Sequence, residues 1–178
     1  SPQLIASRQE DVEYYPDHHT SGKLFILTND GAKNFRLMEA TLETPERENW
    51  QEVIPERAGV TIEDFDVFST HIALSLREKT LPQVEILELT TGEIKRLNFA
   101  EPIYALESEA NLEFNSPTFR FAYSSLVTPH SIYEHNFSTG EKVLLKQQEI
   151  PSGYDSKEYE SQRLWAKAED GTQIQYEQ

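Results

Sequence analysis

The sequence contains no cysteine among its 178 residues. This absence excludes disulfide bonds, thiolate catalysis and zinc held by cysteine, and it is typical of a cytosolic protein. Long apolar runs are absent as well. The longest, such as Leu24–Leu27, have four residues, whereas a membrane-spanning helix needs about 20. We therefore expect a cytoplasmic protein without a signal peptide or a membrane segment.

Positive charge is scarce. Lys and Arg number 16 against 31 Asp and Glu, which gives a net charge of −15. A field of that sign repels phosphate backbones and argues against nucleic acid as a partner. It would attract cationic ligands such as basic peptides, although solubility alone explains the same charge. The chain is nevertheless 37% hydrophobic, so we expect an ordered domain with a real core.

Motifs of enzyme chemistry are missing too. None of the seven glycines brackets a serine in the Gly-x-Ser-x-Gly pattern that exposes a nucleophile. Neither a P-loop nor a dinucleotide fingerprint is present. We therefore predict no catalytic residue and no cofactor in this chain.

Metal ligands are weakly represented. Asp17, His18 and His19 are consecutive, but adjacent side chains on a strand point to opposite faces and do not converge on one ion. Asp64 and Asp66 form an alternating pair that could hold a cation, but solvated carboxylates are the simpler interpretation. We predict no metal site. The other residues considered are three scattered histidines and a glycosylation sequon that would need secretion: His71, His130, His135 and Asn136–Ser138.

What the sequence does contain is an internal repeat. A shift of 49 residues places Asn34–Thr44 over Gln83–Glu93, and a further shift of 48 places both over Ser131–Glu141. Two of these segments share the bend Thr-Gly-Glu. The same two shifts align the preceding segments Lys23–Asp30, Ile72–Lys79 and Arg120–Val127. Because two consecutive segments share one offset, they indicate a repeated structural unit.

Each segment of the repeat reads as a strand. Leu24–Leu27 is typical of a strand buried on both faces. Ile72, Leu74 and Leu76 should point one way and the small residues between them the other. Turn signals follow, each with Gly: residues 29–31, 91–92, 139–140 and 170–171. The predicted strands of the second unit are Thr61–Phe65, Ile72–Glu78, Gln83–Leu89 and Glu93–Phe99.

These units predict an all-β fold of about three four-stranded antiparallel blades of a β-propeller, followed by a terminal β-hairpin. The units cover about residues 12–55, 60–99 and 101–147, with an insertion, Glu43–Asn49, in the first. Three blades form only a partial ring, because propellers close with roughly 4–8 blades. We expect the chain to be part of a longer polypeptide. The open blade edges also offer a route to self-association.

The tail departs from the repeat. Residues 149–161 are rich in Pro, Gly, Asp and Ser and read as a linker. Residues 162–178 then form a hairpin pattern around Asp170 and Gly171. Core packing is the default expectation for both tryptophans, Trp50 and Trp165. Docking against a further domain is the alternative for Trp165.

Three stretches resemble a known family: "DHHTSGKLFILTNDGAKNFRL", "YSSLVTPHSIYEHNFSTGEKVLLKQQEIPSGYD" and "YESQRLWAKAEDGTQI". They are similar to consecutive parts of the propeller in the oligopeptidase B branch of the prolyl oligopeptidase family of serine peptidases. The resemblance runs from about Val12 to Ile174.

The resemblance implies a larger enzyme. In that family a seven-bladed propeller caps an α/β-hydrolase domain, so residues 1–148 would be its last three blades and residues 162–178 the start of the hydrolase domain. The propeller would admit short peptides and exclude folded proteins, and this branch cleaves after Arg or Lys. No catalytic residue is carried over to this chain.

Two other interpretations compete. The chain could be a non-catalytic, propeller-like module that binds peptides or proteins through its loops. It could also be a plain structural β-sandwich in which the repeat is accidental. The arrangement of the strands separates the sandwich from the propeller.

Overall fold

The computed structural model describes residues 4–151 and 153–177, nearly all of them in strands, turns and connections. The first meander contains β1 (Tyr14–His19), β2 (Lys23–Thr28), β3 (Arg36–Thr41) and β4 (Gln51–Ile54). The second contains β5 (Val60–Val67), β6 (His71–Glu78), β7 (Leu81–Glu88) and β8 (Ile94–Arg96). The third contains β9 (Ala105–Ser108), β10 (Thr118–Ser124), β11 (Ser131–Asn136) and β12 (Lys142–Gln147). A hairpin of β13 (Arg163–Lys167) and β14 (Gln173–Glu177) follows, and two short 3-10 helices span Arg47–Asn49 and Ser156–Glu158.

All three meanders have the same topology. In each, four antiparallel strands lie in chain order, so that every strand pairs with its neighbours in sequence. The predicted all-β class, the three four-stranded sheets and the terminal hairpin are confirmed. Among the described residues, no helix is long and apolar enough to cross a membrane.

The chain divides into two compact units. The first consists of the residues up to Arg96 together with Glu113–Ser116, and it holds the first and second meanders. The second consists of Leu97–Leu112 and the residues from Pro117 onward, and it holds the third meander and the hairpin.

The turn that revealed the repeat has the same geometry in both copies. The Gly92 N–H donates to the Glu88 carbonyl at 2.8 Å, and the Gly140 N–H donates to the Asn136 carbonyl at 2.9 Å. Both glycines have a φ of 73°, a left-handed conformation that Gly adopts at little cost. The shared Thr-Gly-Glu therefore specifies the same turn in the second and third meanders.

The predicted alternation within strands is also confirmed. Ile72, Leu74 and Leu76 pair in register with Leu87, Glu85 and Gln83 of β7, and all three are fully buried. Leu24–Leu27 is buried at every position, as expected for a strand covered on both faces. The last strand of the second meander, β8, is shorter than the predicted Glu93–Phe99. It ends at Arg96, because the backbone pairs with β7 only as far as that residue.

The main core of the first unit lies between two sheets. Phe25 and Leu27 of the first meander belong to the same buried cluster as Phe65 and Leu74 of the second. The opposite face of the first meander buries a smaller cluster, against which Trp50 packs. The core role predicted for Trp50 is therefore confirmed. The remaining members of the main cluster are Leu37, Ile54, Val60, Ile62, Ile72, Leu76 and Leu87.

One carboxylate sits on the core-facing side of the second meander. Glu85 lies opposite the fully buried Leu74, and its side chain is only 5% exposed. Two guanidinium groups hold it. Arg57, in the segment between β4 and β5, donates to both carboxylate oxygens at 3.1 and 2.8 Å, and Arg96 of β8 donates at 3.1 and 2.7 Å.

This arrangement keeps Glu85 ionised. Burial alone would raise the pKa of Glu85, but the hydrogen bonds and charges of Arg57 and Arg96 outweigh burial and leave the pKa below its usual value. Desolvation makes a buried ion pair costly to form, but removing one partner leaves an uncompensated buried charge and is strongly destabilising. Glu85 therefore ties the last strand of its sheet to the connection from the first meander.

Replacing this carboxylate should destabilise the first unit. Glu85→Gln leaves two guanidinium groups facing a neutral amide, and we expect the free energy of unfolding to fall by about 2 kcal/mol. Urea unfolding followed by Trp50 fluorescence in a Trp165→Phe background measures it. The matched control is Glu63→Gln, which removes the exposed pair with Arg77 and should cost less than about 1 kcal/mol. Equal losses in the two variants would contradict the account.

The contribution of Glu85 should depend on pH. Because its pKa is lowered by folding, the stabilisation is fully present above the unfolded value of 4.5 and is lost as the pH falls through the folded value. The stability difference between wild type and Glu85→Gln should therefore be constant from pH 7 to 5 and shrink below pH 4.5. Urea titrations at each pH measure this. A difference that grows on acidification would show that the carboxylate is not held in its charged form.

Candidate functional site

The polar groups of the Asp17–His19 stretch have hydrogen-bond partners within the protein. His19 lies beside Ser21 and Ser69. Its Nε2 donates to the Ser69 carbonyl at 3.1 Å, and its Nδ1 accepts from the Ser21 N–H at 3.1 Å. The carboxylate of Asp17 accepts the N–H of His18. Both ring nitrogens of His19 are therefore already used within the protein.

The remaining metal candidates are dispersed. Over residues 4–151 and 153–177, no three His, Asp or Glu side chains come together as metal ligands. Asp64 accepts the N–H of Phe65 at 2.8 Å. His71 begins β6, where burial lowers its pKa against the opposing charge of Glu88. The absence of a metal site in the whole chain stays a prediction. His130 precedes β11, His135 lies within it, and Asp66 lies on β5.

The glycosylation sequon, Asn136–Ser138, lies in a turn that its own side chain stabilises. Asn136 Oδ1 accepts the N–H groups of Ser138 and Thr139, each at 3.0 Å. This side-chain bonding is a local device for closing a hairpin. The turn geometry thus accounts for Asn136 without a modification.

The third meander carries an aromatic pocket that the sequence did not reveal. It has a volume of about 210 Å³. Two stacked pairs of rings form its walls: Phe99 with Tyr123 at 5.1 Å, and Phe121 with Tyr133 at 5.7 Å between centroids. All of its residues belong to the second unit. The pocket is lined by Phe99, Ala100, Glu101, Phe121, Tyr123, Thr128, Tyr133 and Lys142.

A carboxylate stands at this pocket. The Glu101 Oε1 atom accepts a hydrogen bond from the Thr128 hydroxyl. Its Oε2 atom is buried and has no hydrogen-bond partner within the described part of the chain. Burial, then the nearby Glu101 charge and a side-chain hydrogen bond to Glu101, raise the pKa of Tyr123 well above its usual value.

An ammonium group stands at the same pocket. The Lys142 Nζ atom lies 4.4 Å from the centre of the Phe99 ring, a distance at which a cation is attracted to the ring face. It also donates to the Asn98 carbonyl. Burial lowers the pKa of Lys142, since the aromatic surroundings replace water around the charge. The pocket thus combines ring faces with one charge of each sign.

The terminal hairpin exposes apolar surface. Trp165 is 54% exposed and Ile174 is 52% exposed. The Arg163 guanidinium lies 5.2 Å from the Trp165 ring. The core packing expected for Trp165 is therefore wrong for this chain: in the part of the chain that the structure describes, its hairpin is a sheet of only two strands.

The sequence contained only faint signals of these groups. Glu85 could have been noticed, because it falls on the same face of its strand as the apolar Leu87. The Glu101–Thr128 and Lys142–Phe99 contacts join residues that are distant in the chain, and neither contact belongs to a repeat period. Only the fold brings them together.

Comparison with known proteins identifies the family. The profile described as "Prolyl oligopeptidase, N-terminal beta-propeller domain" matches residues 1–148. Dipeptidyl aminopeptidase BI from Pseudoxanthomonas mexicana is 34% identical over 169 residues, which is 94% of this chain and 23% of that protein. Protease 2 from Moraxella lacunata is 27% identical over 175 residues, 98% of this chain and 25% of that protein. The chain therefore spans about a quarter of the length of these curated relatives.

Solved structures give the same result. Oligopeptidase B from Trypanosoma brucei, in a closed form with covalently bound antipain, superposes with a TM-score of 0.86 at 27% identity. The match covers 97% of this chain and 26% of that one. Oligopeptidase B from Leishmania major gives a TM-score of 0.87 at 26% identity, over 97% of this chain and 25% of that one. With the three repeated meanders, these matches contradict the β-sandwich alternative. The chain belongs to the prolyl oligopeptidase family, as part of its N-terminal β-propeller domain.

Proposed function

We propose that this chain is the propeller segment of a cytoplasmic serine oligopeptidase whose α/β-hydrolase domain belongs to the same polypeptide. The segment restricts substrate entry to short peptides and supplies no catalytic residue. Residues 1–148 form the last three blades, residues 149–161 the linker, and residues 162–178 the start of the hydrolase domain. The parent enzyme cleaves after Arg or Lys.

The exposed hairpin is the observation that carries the proposal. A two-stranded hairpin is marginally stable in water unless further strands or a helix cover it. Trp165 and Ile174 are both more than half exposed. A neighbouring domain that extends this small sheet would bury both side chains. The family match ends at residue 148, before the hairpin begins, which fits a hairpin that belongs to a different domain.

The charge distribution supports a preference for basic peptides. At least eight of the 16 Lys and Arg residues are already paired with carboxylates: Lys23, Arg36, Arg47, Arg57, Arg77, Lys95, Arg96 and Arg120. The excess of 15 negative charges therefore falls on carboxylates without such neutralisation. An acidic surface raises the local concentration of cationic ligands and their rate of association.

A non-catalytic binding module is the second candidate. The aromatic pocket favours it, because ring faces beside a few polar groups are typical of ligand sites. The two candidate functions predict different sequences for the parent polypeptide. An enzyme requires a Gly-x-Ser-x-Gly stretch followed by Asp and His, and a module does not.

The parent polypeptide should hydrolyse short peptides after Arg or Lys, and its kcat/KM should depend on salt. We expect kcat/KM for an Arg-containing hexapeptide to fall at least about threefold between 10 and 150 mM NaCl, because salt screens the acidic surface. The hexapeptide carries a second Arg away from the cleaved one, and the matched control has citrulline at that second position only, so that it is still cleaved but its kcat/KM should respond less to salt. Stopped assays with both peptides measure this.

Two outcomes would contradict the proposal in different ways. Absence of hydrolysis by the parent, with no serine motif in its sequence, would favour the binding module. Hydrolysis that responds equally to salt for both peptides would retain the peptidase but reject the electrostatic preference. The 178-residue chain alone should be inactive with either peptide.

A further inference from the structure

The outer strand of the third meander has an open edge. β12 lies at the end of its sheet and pairs with β11 on one side only. Among the described residues, no backbone hydrogen bond from outside the sheet reaches Lys142–Gln147. A strand of this kind presents unpaired N–H and C=O groups along its free side, and an extended segment can pair with them. We call this free side of Lys142–Gln147 the β12 edge.

The middle of the β12 edge is apolar. Val143, Leu144 and Leu145 are consecutive, and each is 46–47% exposed. All six residues of the strand are exposed. Contact with another apolar chain is favourable here, because it removes this surface from water. A further sheet packed on the meander would cover one of its faces and would leave the edge open.

The outer strands of the other two meanders are protected against such pairing. β4 has four residues and β8 has three, whereas β12 has six. In β4, Ile54 is buried and Val53 packs against the main core. In β8, Lys95 and Arg96 both form ion pairs. Short length and charge are common devices that keep an edge strand unpaired, and the centre of β12 has neither.

The charge of the β12 edge is opposite to that of the chain. Its ionisable residues are two lysines, Lys142 and Lys146, although the chain has a net charge of −15. Glu134, on the neighbouring β11, is ion-paired, and Glu141 and Glu149 lie beyond the two ends of the strand. At physiological salt, charges farther than about 8 Å are largely screened. A segment laid along β12 therefore meets mainly the two lysines.

We propose that the β12 edge binds an extended segment of a partner protein, apolar at its centre with an acidic residue at each end, by antiparallel strand addition. The acidic residues then lie opposite Lys142 and Lys146, and the apolar ones opposite Val143–Leu145. Backbone hydrogen bonds supply the affinity, and cross-strand pairs of opposite charge supply the selectivity. This binding is separate from peptide hydrolysis and does not depend on it.

A second copy of this chain fits the edge less well. Antiparallel pairing of two β12 strands around a twofold axis at their centre would place Lys142 opposite Gln147 and Lys146 opposite Val143. No opposite charges would meet, and each copy would bring a net charge of −15. Charge therefore favours an acidic partner over self-association.

Titration of the isotope-labelled 178-residue chain with acetyl-Thr-Glu-Val-Ile-Val-Glu-Thr-amide tests the proposal. In about 150 mM NaCl, we expect saturable shifts of the β12 amide signals in NMR spectra, with a Kd of about 100 μM. The same peptide with Lys in place of both Glu should bind about tenfold more weakly. A third peptide, with two consecutive Pro in place of the Ile and the second Val, should not bind, because one of those N–H groups must face the ladder.

A charge reversal assigns the contact. Lys146→Glu should weaken binding of the Glu peptide about fivefold and strengthen binding of the Lys peptide by a similar factor. The matched control is Lys95→Glu on β8, which should bind both peptides like wild type. Circular dichroism verifies the fold of each variant, and the three peptides on wild type decide the question if a variant unfolds.

Several results would overturn the proposal. One is the absence of saturable shifts in β12. Another is equal binding of the Glu and Lys peptides, or of the Pro peptide, which would exclude charge selection or strand addition. Shifts in β4 or β8 as large as those in β12 would show that the edge is not distinctive. Dimerisation of the chain through β12 without peptide would make a second copy the occupant.

Discussion

The structure depends on apolar burial between sheets that cannot bury their own faces. A four-stranded meander is one layer thick, so both of its faces need cover. Phe25 and Leu27 of the first meander share a buried cluster with Phe65 and Leu74 of the second, and neither sheet would keep these side chains from water alone. The meander is therefore the unit of the repeat, but the pair of meanders is the unit of stability.

Polar groups are placed where this burial allows them. Glu85 is tolerated on the core-facing side because Arg57 and Arg96 satisfy both of its oxygens. In the third meander, Glu101 is anchored through one oxygen only. The Glu85 arrangement is closed, with both oxygens bonded, and it stabilises the fold.

Sequence reasoning succeeded where local rules act. The period of two in Ile72, Leu74 and Leu76 specified their buried face, and the glycine of each Thr-Gly-Glu specified the turn, because both depend on neighbouring residues alone. The aromatic pocket was not predicted, since Lys142 reaches Asn98 from 44 positions away and Thr128 reaches Glu101 from 27. Trp165 was misjudged because the alternation of its strand does not show that the hairpin is only two strands wide. Periodicity reports which face is apolar but not what covers it.

Native-state hydrogen exchange tests the dependence of one meander on the next most directly. If the shared cluster holds both sheets together, the slowest amides of β2 and β6 should exchange with the same free energy of opening, because they are released in one cooperative event. The account predicts values equal within about 0.5 kcal/mol across a urea series. Protection of β6 that persists after β2 has opened, by about 2 kcal/mol or more, would show that the second meander is stable alone and would contradict it.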